Sequence, residues 1–195
     1  MGTEGSEANS SDELLQRLSA LEAQVAELKA QQQESEQEQD KLSIVVYSGE
    51  LDRMLAAMNI ATGAASMGIE VHLFFTFWAT SAMRKGPMQG ERPFVEKVFG
   101  WMLPAGHRQL KLSTMHWAGL GTSVLKTRMK AKNVADLDEL FAMASEADVK
   151  VHICEMSMDL LGMKLEDLVD YPGMDQCGVA TFLADAMESK GTLFV

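Results

Sequence analysis

Residues 42–77 have the pattern of a strand, a helix and a second strand, and this unit restricts the fold most. Leu42–Tyr47 is a nearly continuous apolar run, typical of a strand buried on both faces. Leu51–Met67 has apolar residues at helical spacing and stops before Gly68, a residue suited to end a helix. Ile69–Phe77 is a second apolar run. Such a unit joins parallel strands by a right-handed crossover, so the sequence predicts an α/β fold with a parallel sheet.

The rest of the chain alternates less regularly. Ala79–Gly106 holds three of the four prolines, and a connection of this length is typical of a functional segment or an oligomer contact. We expect a strand over Val149–Cys154 that runs directly into a short helix. Further predicted elements are a short strand over Leu110–Ser113, helices over Val124–Lys132, Asp136–Ala147 and Gly178–Ser189, a turn at Tyr171–Gly173 and a last strand over Thr192–Val195.

The first 40 residues differ from the remainder in charge. They hold ten acidic and two basic residues, a net charge of −8 out of a total of −11. Residues 1–11 are polar and Gly/Ser-rich, so we expect a disordered tail. A seam of apolar residues at spacings of four and three then predicts a helix with coiled-coil character: Leu14, Leu18, Leu21, Val25 and Leu28. An acidic linker follows, and the predicted α/β domain spans residues 41–195.

Two interpretations of this N-terminal helix remain open. It either lies on its own domain or mediates self-association and partner binding. The polar run Gln31–Asp40 favours the second interpretation, because it separates the helix from the predicted domain.

The charge balance and hydropathy argue against several classes of function. Residues 41–195 carry about −3, the difference between −11 and −8, and nucleic acid binding requires a basic surface. The longest apolar run, near Val71–Met83, is too short to span a bilayer. The N-terminus lacks a basic region followed by an apolar run, so we expect no signal peptide, a cytoplasmic location and free thiols.

Cys154 is the first candidate for chemistry, because it lies where a predicted buried strand meets a helix. Ligands of open α/β sheets collect at the carboxyl ends of strands, and a helix N-terminus stabilises a thiolate. The adjacent Glu155 disfavours a negative sulfur. Cys177 precedes the helix that begins near Gly178 and is a candidate second or resolving thiol. A quiet core cysteine remains the alternative for Cys154.

Other polar residues give weaker signals. Ser157 and Asp159 either cap the helix after Cys154 or hydrogen-bond a sulfur species. Candidate pocket residues also include His116 and the pair Gly119 and Gly121, which precede a helix and suit an anion. His72 and His152 lie in apolar strands and are expected to be hydrogen-bonded core residues. Two thiols with scattered histidines do not have zinc-site spacing, so no metal or other cofactor is predicted.

Four stretches resemble the DsrE/DsrF/DsrH-like proteins, and among them the larger DsrE2-type branch. The most specific is the Cys-x-Met-Ser-Met-Asp run of Cys154–Asp159. The full set comprises Leu42–Tyr47 with the helix after it, Met67–Trp78, Ala118–Thr122, and Cys154–Gly162 together with Gly178–Leu183. The resemblance covers about residues 41–195.

The resemblance implies a flavodoxin-like three-layer sandwich with a mostly parallel sheet, in a protein that forms homo-oligomers. Several members relay sulfur as a cysteine persulfide, and the matching cysteine here is Cys154. Cys177 stands where the family pattern suggests glycine, which weakens a resolving role. The family also implies sulfur donors and acceptors, such as rhodanese-like or TusA-like proteins.

Two functions therefore remain open. The first is a sulfur carrier or sulfurtransferase that acts through a persulfide on Cys154. The alternative is a non-enzymatic, oligomeric interaction module in which Cys154 is structural.

Overall fold

The computed structural model of the protein describes residues 16–27, 29, 40–114 and 119–195. The chain divides into two units, Met1–Gln39 and Asp40–Val195. In the first unit residues 16–27 form helix α1, on which Leu18, Leu21 and Val25 are exposed. The other two seam leucines, at 14 and 28, and nearly all of the acidic linker lie outside the described residues. The tail, the coiled coil and the linker therefore stay predictions. No described helix is long and apolar enough to cross a membrane.

The second unit alternates strands and helices in the predicted manner. Its elements are β1 (Lys41–Val46), α2 (Leu51–Ser66), β2 (Glu70–Phe75), α3 (Phe94–Met102), α4 (Leu120–Ala131), α5 (Leu137–Glu146), β3 (Lys150–Cys154), α6 (Glu155–Leu161), β4 (Met174–Cys177), α7 (Val179–Glu188) and β5 (Gly191–Phe194). Short 3-10 helices lie at Phe77–Met83, His107–Gln109 and Leu165–Asp167.

The five strands form one sheet in the order β4-β3-β2-β1-β5. Every pairing within it is parallel. Helices pack on both faces, so the predicted α/β sandwich with a parallel sheet is confirmed. The physical reason is that β1, β2 and β3 are buried on both faces, which only a helical layer on each side can provide.

One face of the sheet carries the main core. Alternate strand residues point to this face, among them Ile44, Leu73 and Ile153, which are all fully buried. Apolar residues of α2 and α5 pack against them, including Met54, Met58, Leu140 and Ala144. A capping box starts α5, in which Asp136 accepts a hydrogen bond from the Glu139 N–H and Glu139 accepts one from the Asp136 N–H.

The opposite face carries a smaller buried cluster. It consists of Phe74 from β2, Cys154 from β3, Cys177 from β4 and Phe182 from α7. Helix α7 supplies the cover over the cysteines, and its apolar residues Val179, Leu183 and Met187 are exposed. The two thiols therefore lie under a single amphipathic helix.

A buried ion pair secures the irregular connection between β2 and α4. Arg92 Nη2 donates to both oxygens of the Asp167 carboxylate, at 2.9 and 2.8 Å. The exposed fractions of the two side chains are 3% and 7%. Arg92 also donates to the Gly162 carbonyl. Removal of one partner of a pair this buried is strongly destabilising, because the other charge stays buried without its hydrogen-bonded counter-charge.

One predicted strand is wrong, and one observed strand was not predicted. Residues 110–113 form no strand; the Lys111 carbonyl and the Ser113 N–H instead bond the start of α2, at Leu51 and Asp52. Strand β4 was not predicted, because its sequence Met-Asp-Gln-Cys lacks apolar alternation. It lies at an edge of the sheet, where polar residues are tolerated.

Candidate functional site

Cys154 is the last residue of β3 and the N-cap residue of α6. Its position at the strand–helix junction is therefore as predicted. Its side chain makes no capping hydrogen bond, and its exposed fraction is 0%. The neighbouring Glu155 is exposed to solvent, whereas the sulfur lies inside. The thiol is thus at the carboxyl end of the sheet but covered.

Cys177 lies directly beside Cys154. The two are paired positions in the register of β3 and β4, so both side chains leave the same face of the sheet. Both cysteines are free thiols. Burial, then the charge of Asp175 and the neighbouring Cys154 thiol, raise the pKa of Cys177 to about 11. The Cys177 thiol therefore stays protonated near neutral pH while it is covered.

Two stacked aromatic rings close this face. The rings of Phe74 and Phe182 have centroids 4.5 Å apart and an interplanar angle of 15°. Phe182 is 3% exposed and packs against both cysteines in one buried cluster. Phe182 of α7 is therefore part of the cover over the cluster that contains both sulfurs.

A row of charged and imidazole groups lies on the same face, nearer the amino ends of the strands. His72 Nδ1 and His152 Nε2 are 2.9 Å apart, and the two rings meet edge to edge, with centroids 5.1 Å apart and an interplanar angle of 20°. Each ring also bonds a carboxylate: His72 Nε2 lies 2.8 Å from Glu70, and His152 Nδ1 lies 2.5 Å from Asp175. The expectation that both histidines are hydrogen-bonded core residues is confirmed.

Asp185 of α7 faces this row. Burial alone would raise the pKa of Asp185, but the hydrogen bond and charge of Lys41 hold that pKa below its usual value. Lys41 Nζ donates to Asp185 Oδ1 at 2.7 Å and lies 3.5 Å from Glu188. Asp185 Oδ2 lies 3.9 Å from His72 Nδ1. Sequence reasoning missed Asp185, because nothing in its local pattern relates it to the histidines.

Ser157 has a structural role. Its Oγ accepts a hydrogen bond from the Phe77 N–H at 2.8 Å and lies 3.1 Å from Thr76 Oγ1. Phe77 has φ of 46°, an uncommon conformation for a residue with a side chain. Ser157 thus holds the end of β2 against α6. Ser157 and Asp159 both lie within α6 and not at its N-cap, so the capping interpretation is wrong; Asp159 is exposed.

Of the remaining candidate pocket residues, the two that the structure describes, Gly119 and Gly121, lie on a different element from the cysteines. Gly119 is the N-cap of α4 with φ of 94°, and Gly121 lies in its first turn. Helix α4 lines a cleft of about 1000 Å³ with α2 and α5, which cover the other face of the sheet. His116 lies outside the described residues. A second cleft of about 360 Å³, lined by Tyr47, Trp78 and their neighbours, contains neither cysteine.

One sequence signal anticipates part of this arrangement. Alternation along a strand puts His152 on the same face as Cys154, and His72 on the same face as Phe74. The pairing of strands is what adds Cys177 and brings the two histidines into contact.

Residues 38–194 match the model described as the "DsrE/DsrF/DrsH-like family". This chain belongs to that family. The resemblance found from the four sequence stretches is therefore confirmed, and it covers the whole unit that contains both cysteines.

This DsrE-like chain matches two relatives over nearly their full lengths. The "Uncharacterized protein YrkE" of Bacillus subtilis is 43% identical over 156 residues, which are 80% of this chain and 96% of YrkE. The "Sulfur carrier protein DsrE2" of Allochromatium vinosum is 33% identical over 162 residues, which are 81% of this chain and 99% of DsrE2. Among solved structures, the YchN protein of E. coli matches with a TM-score of 0.48 at 12% identity, over 80% of this chain and 99% of YchN.

Proposed function

We propose that this protein is a sulfur carrier that holds sulfane sulfur as a persulfide on Cys154. Membership of the DsrE-like family and the relative named as a sulfur carrier support the relay role. The observation that carries the assignment to this residue is the thiol at the carboxyl end of β3, with a second thiol in register beside it. A cytoplasmic location is part of the proposal, because a reducing compartment keeps both thiols available.

The chemistry requires no external oxidant. The Cys154 thiolate attacks the outer sulfur of a donor persulfide, R–S–SH, and a new S–S bond forms as the donor S–S bond breaks. The donor leaves as R–S⁻ and takes up a proton, and Cys154 becomes Cys–S–SH. Delivery to an acceptor thiol is the same exchange in reverse, so each transfer is balanced.

The burial of Cys154 makes transfer dependent on a conformational step. Its sulfur is covered by Phe182, and the covered Cys177 thiol has a raised pKa. A partner that displaces α7 would expose both sulfurs together and remove this burial. Covering the thiols between transfers would protect a bound persulfide from reductants and water.

Partner binding is proposed to use the outer surface of α7. Val179, Leu183 and Met187 recur every four residues along the helix and are 47%, 52% and 86% exposed. An apolar stripe of this kind suits either a second copy of the chain or a small donor or acceptor protein of the rhodanese-like or TusA-like type. Because the stripe lies on the same helix that covers the thiols, contact there can act directly on access to the sulfur.

Mass spectrometry tests the proposal. The full chain is incubated with a persulfide donor, and the mass gain of one sulfur atom is located by digestion under non-reducing conditions. We expect the gain on Cys154, and we expect its loss in Cys154→Ser. The matched variant Cys177→Ser retains the free Cys154 and is expected to retain the gain.

Equal sulfur uptake by Cys154→Ser would contradict the assignment and would move the carrier role to Cys177. No uptake by the unmodified chain, from either a small donor or a persulfidated sulfurtransferase, would favour the second candidate function. That candidate is an interaction module with a structural cysteine, and the complete burial of Cys154 is the observation that favours it.

A further inference from the structure

The paired histidines and the acids around them form a cluster that the sulfur-carrier role does not use. His72 of β2 and His152 of β3 point their inner nitrogens, Nδ1 and Nε2, at each other across 2.9 Å. Asp185 of α7 brings one carboxylate oxygen to 3.9 Å from the His72 nitrogen. All three potential ligand atoms lie within 4.8 Å of one another. Three different elements therefore bring two nitrogen atoms and one oxygen atom that can bind a metal close together.

The hydrogen bonds around the two rings leave both inner nitrogens without a proton when the histidines are neutral. The outer nitrogens, His72 Nε2 and His152 Nδ1, contact the carboxylates of Glu70 and Asp175. An ionised carboxylate can only accept, so each outer nitrogen must carry a proton. A neutral imidazole has one proton, so two neutral rings would face each other with bare lone pairs at 2.9 Å. A cation between the inner nitrogens removes this repulsion.

The surroundings supply further negative charge. Glu70, Asp175, Asp185 and Glu188 contribute four carboxylates, and Lys41 contributes one ammonium group in contact with Asp185 and Glu188. With neutral histidines these groups sum to four negative charges less one positive, or −3. A divalent ion would balance most of this charge, whereas a single shared proton would balance one third of it.

We propose that His72, His152 and Asp185 form a binding site for a divalent transition metal of the zinc type. Two imidazoles and one carboxylate are ligands that Zn²⁺ takes, and three protein ligands leave a fourth position open. A histidine ligand normally donates its other N–H to a carboxylate, which orients the ring and raises its basicity. Glu70 and Asp175 occupy that place on each ring.

The separations of the ligand atoms are compatible with coordination after small movements. Ligands about 2.0–2.1 Å from a tetrahedral ion are roughly 3.3 Å apart. The two nitrogens would open from 2.9 Å, and Asp185 Oδ2 would close from 3.9 Å. Lys41 holds the other oxygen of Asp185 and leaves Oδ2 available for this approach.

The proposed site does not use a cysteine as a ligand, unlike the competing arrangement. Cys177 also lies within 4.8 Å of potential ligand atoms of His152 and Asp175, so a mixed thiolate site is the competing arrangement. In the proposed site His152 uses its inner nitrogen, and its outer nitrogen stays with Asp175. The metal would then bind whether or not either cysteine is present, and independently of the sulfur-carrier role.

Metal titration of the full chain tests the inference. Chelator-treated protein is titrated with Zn²⁺ by calorimetry, and with Co²⁺ by absorption spectroscopy to identify the ligands. We expect one ion per chain, a raised Tm with Zn²⁺, and visible Co²⁺ bands without a thiolate charge-transfer band. We expect His72→Gln and His152→Gln to weaken binding by at least about 100-fold, and Glu70→Gln and Asp175→Asn by about 10–100-fold.

Two controls separate this site from other histidines and from the thiols. His107→Gln removes a histidine that is also paired with an aspartate, Asp138 at 2.7 Å, and should leave the affinity unchanged. The double variant Cys154→Ser/Cys177→Ser should also leave it unchanged. If the buried histidine variants fail to fold, the partly exposed Asp185→Asn supplies the deciding measurement, with an expected loss of at least 10-fold.

Several results would overturn the inference. Absence of Zn²⁺ binding by the unmodified chain would mean that a shared proton alone occupies the histidine pair. Loss of binding in the double cysteine variant, or a thiolate band with Co²⁺, would assign the metal to Cys177. If Asp185→Asn and Glu70→Gln both bind Zn²⁺ with unchanged affinity, the ion lies elsewhere.

Discussion

Replacing Phe182 by alanine should uncover the two thiols without altering either one. Phe182 is 3% exposed, stacks on Phe74 at 4.5 Å and contacts the cluster that contains Cys154 and Cys177. Helix α7 is the element that covers these sulfurs, and Phe182 is its one fully buried residue. The substitution therefore weakens the attachment of the cover more than the remainder of the fold.

The magnitude follows from the loss of a buried aromatic ring. Phe→Ala at a buried position costs about 3–5 kcal/mol, of which about 0.5–1.5 kcal/mol comes from a paired ring such as Phe74. Each 1.4 kcal/mol changes an equilibrium tenfold. If α7 opens locally, the lower figure corresponds to a roughly 100-fold larger open population. The rate at which a thiol reagent labels the cysteines should rise by the same factor.

The assay is the rate of thiol labelling near neutral pH, followed by mass spectrometry, with Phe141→Ala as the matched control. Phe141 is 9% exposed and packs in the main core on the other face of the sheet. Both substitutions remove a buried phenyl ring, but only Phe182 covers the thiols. We expect fast labelling in Phe182→Ala and labelling close to that of the unmodified chain in Phe141→Ala.

Equal acceleration in both variants would refute the reasoning. Labelling would then follow global unfolding, and α7 would not open as a separate unit. Unchanged labelling in Phe182→Ala, with the expected loss of stability, would show that the sulfurs stay covered by other groups. Circular dichroism confirms in each case that the variant is folded during the measurement.

Two further predictions concern stability. Asp167→Asn should lower the free energy of unfolding by about 3–5 kcal/mol in urea denaturation, because it leaves the buried guanidinium of Arg92 without a counter-charge; a loss below about 1 kcal/mol would contradict this. Because the folded-state pKa of Cys177 is raised from 9.0 to about 11, folding holds its proton, and this stabilisation is complete below pH 9 and is lost as pH rises toward 11. Cys177→Ala should therefore flatten that part of the pH–stability curve, and an identical slope in both proteins would count against the raised pKa.

Much of the fold could be predicted from local patterns. The strand–helix–strand unit over residues 42–77 was predicted because strands buried on both faces are continuous apolar runs, and parallel strands need a crossover. The helix predicted over Asp136–Ala147 is α5, Leu137–Glu146, and β3 ends at Cys154 as the sequence predicts. Strand β4 could not be predicted, because an edge strand gains its stability from backbone pairing and tolerates polar side chains.

In the candidate site, too, local patterns predicted some features and missed those that depend on tertiary contacts. Cys154 was placed at the strand–helix junction from its neighbours in the sequence, and the match to the family spans that stretch. Ser157 was predicted either to cap the helix or to hydrogen-bond a sulfur species, and in the structure it accepts a hydrogen bond from the Phe77 N–H, 80 residues away in the chain. No spacing rule relates such partners, because the contact is made by the packing of two elements and not by either element alone.

The sequence by itself determined that this chain forms a parallel α/β sheet with a thiol at the end of a buried strand. Periodicity and apolar runs carry that information, because they act over a few neighbouring residues. Only the tertiary structure decided that Cys177 lies beside Cys154, that His72 meets His152, and that Asp185 faces them. These contacts join residues of different strands and a helix. Their register is set by the packing of the whole sheet, which no local stretch of sequence specifies.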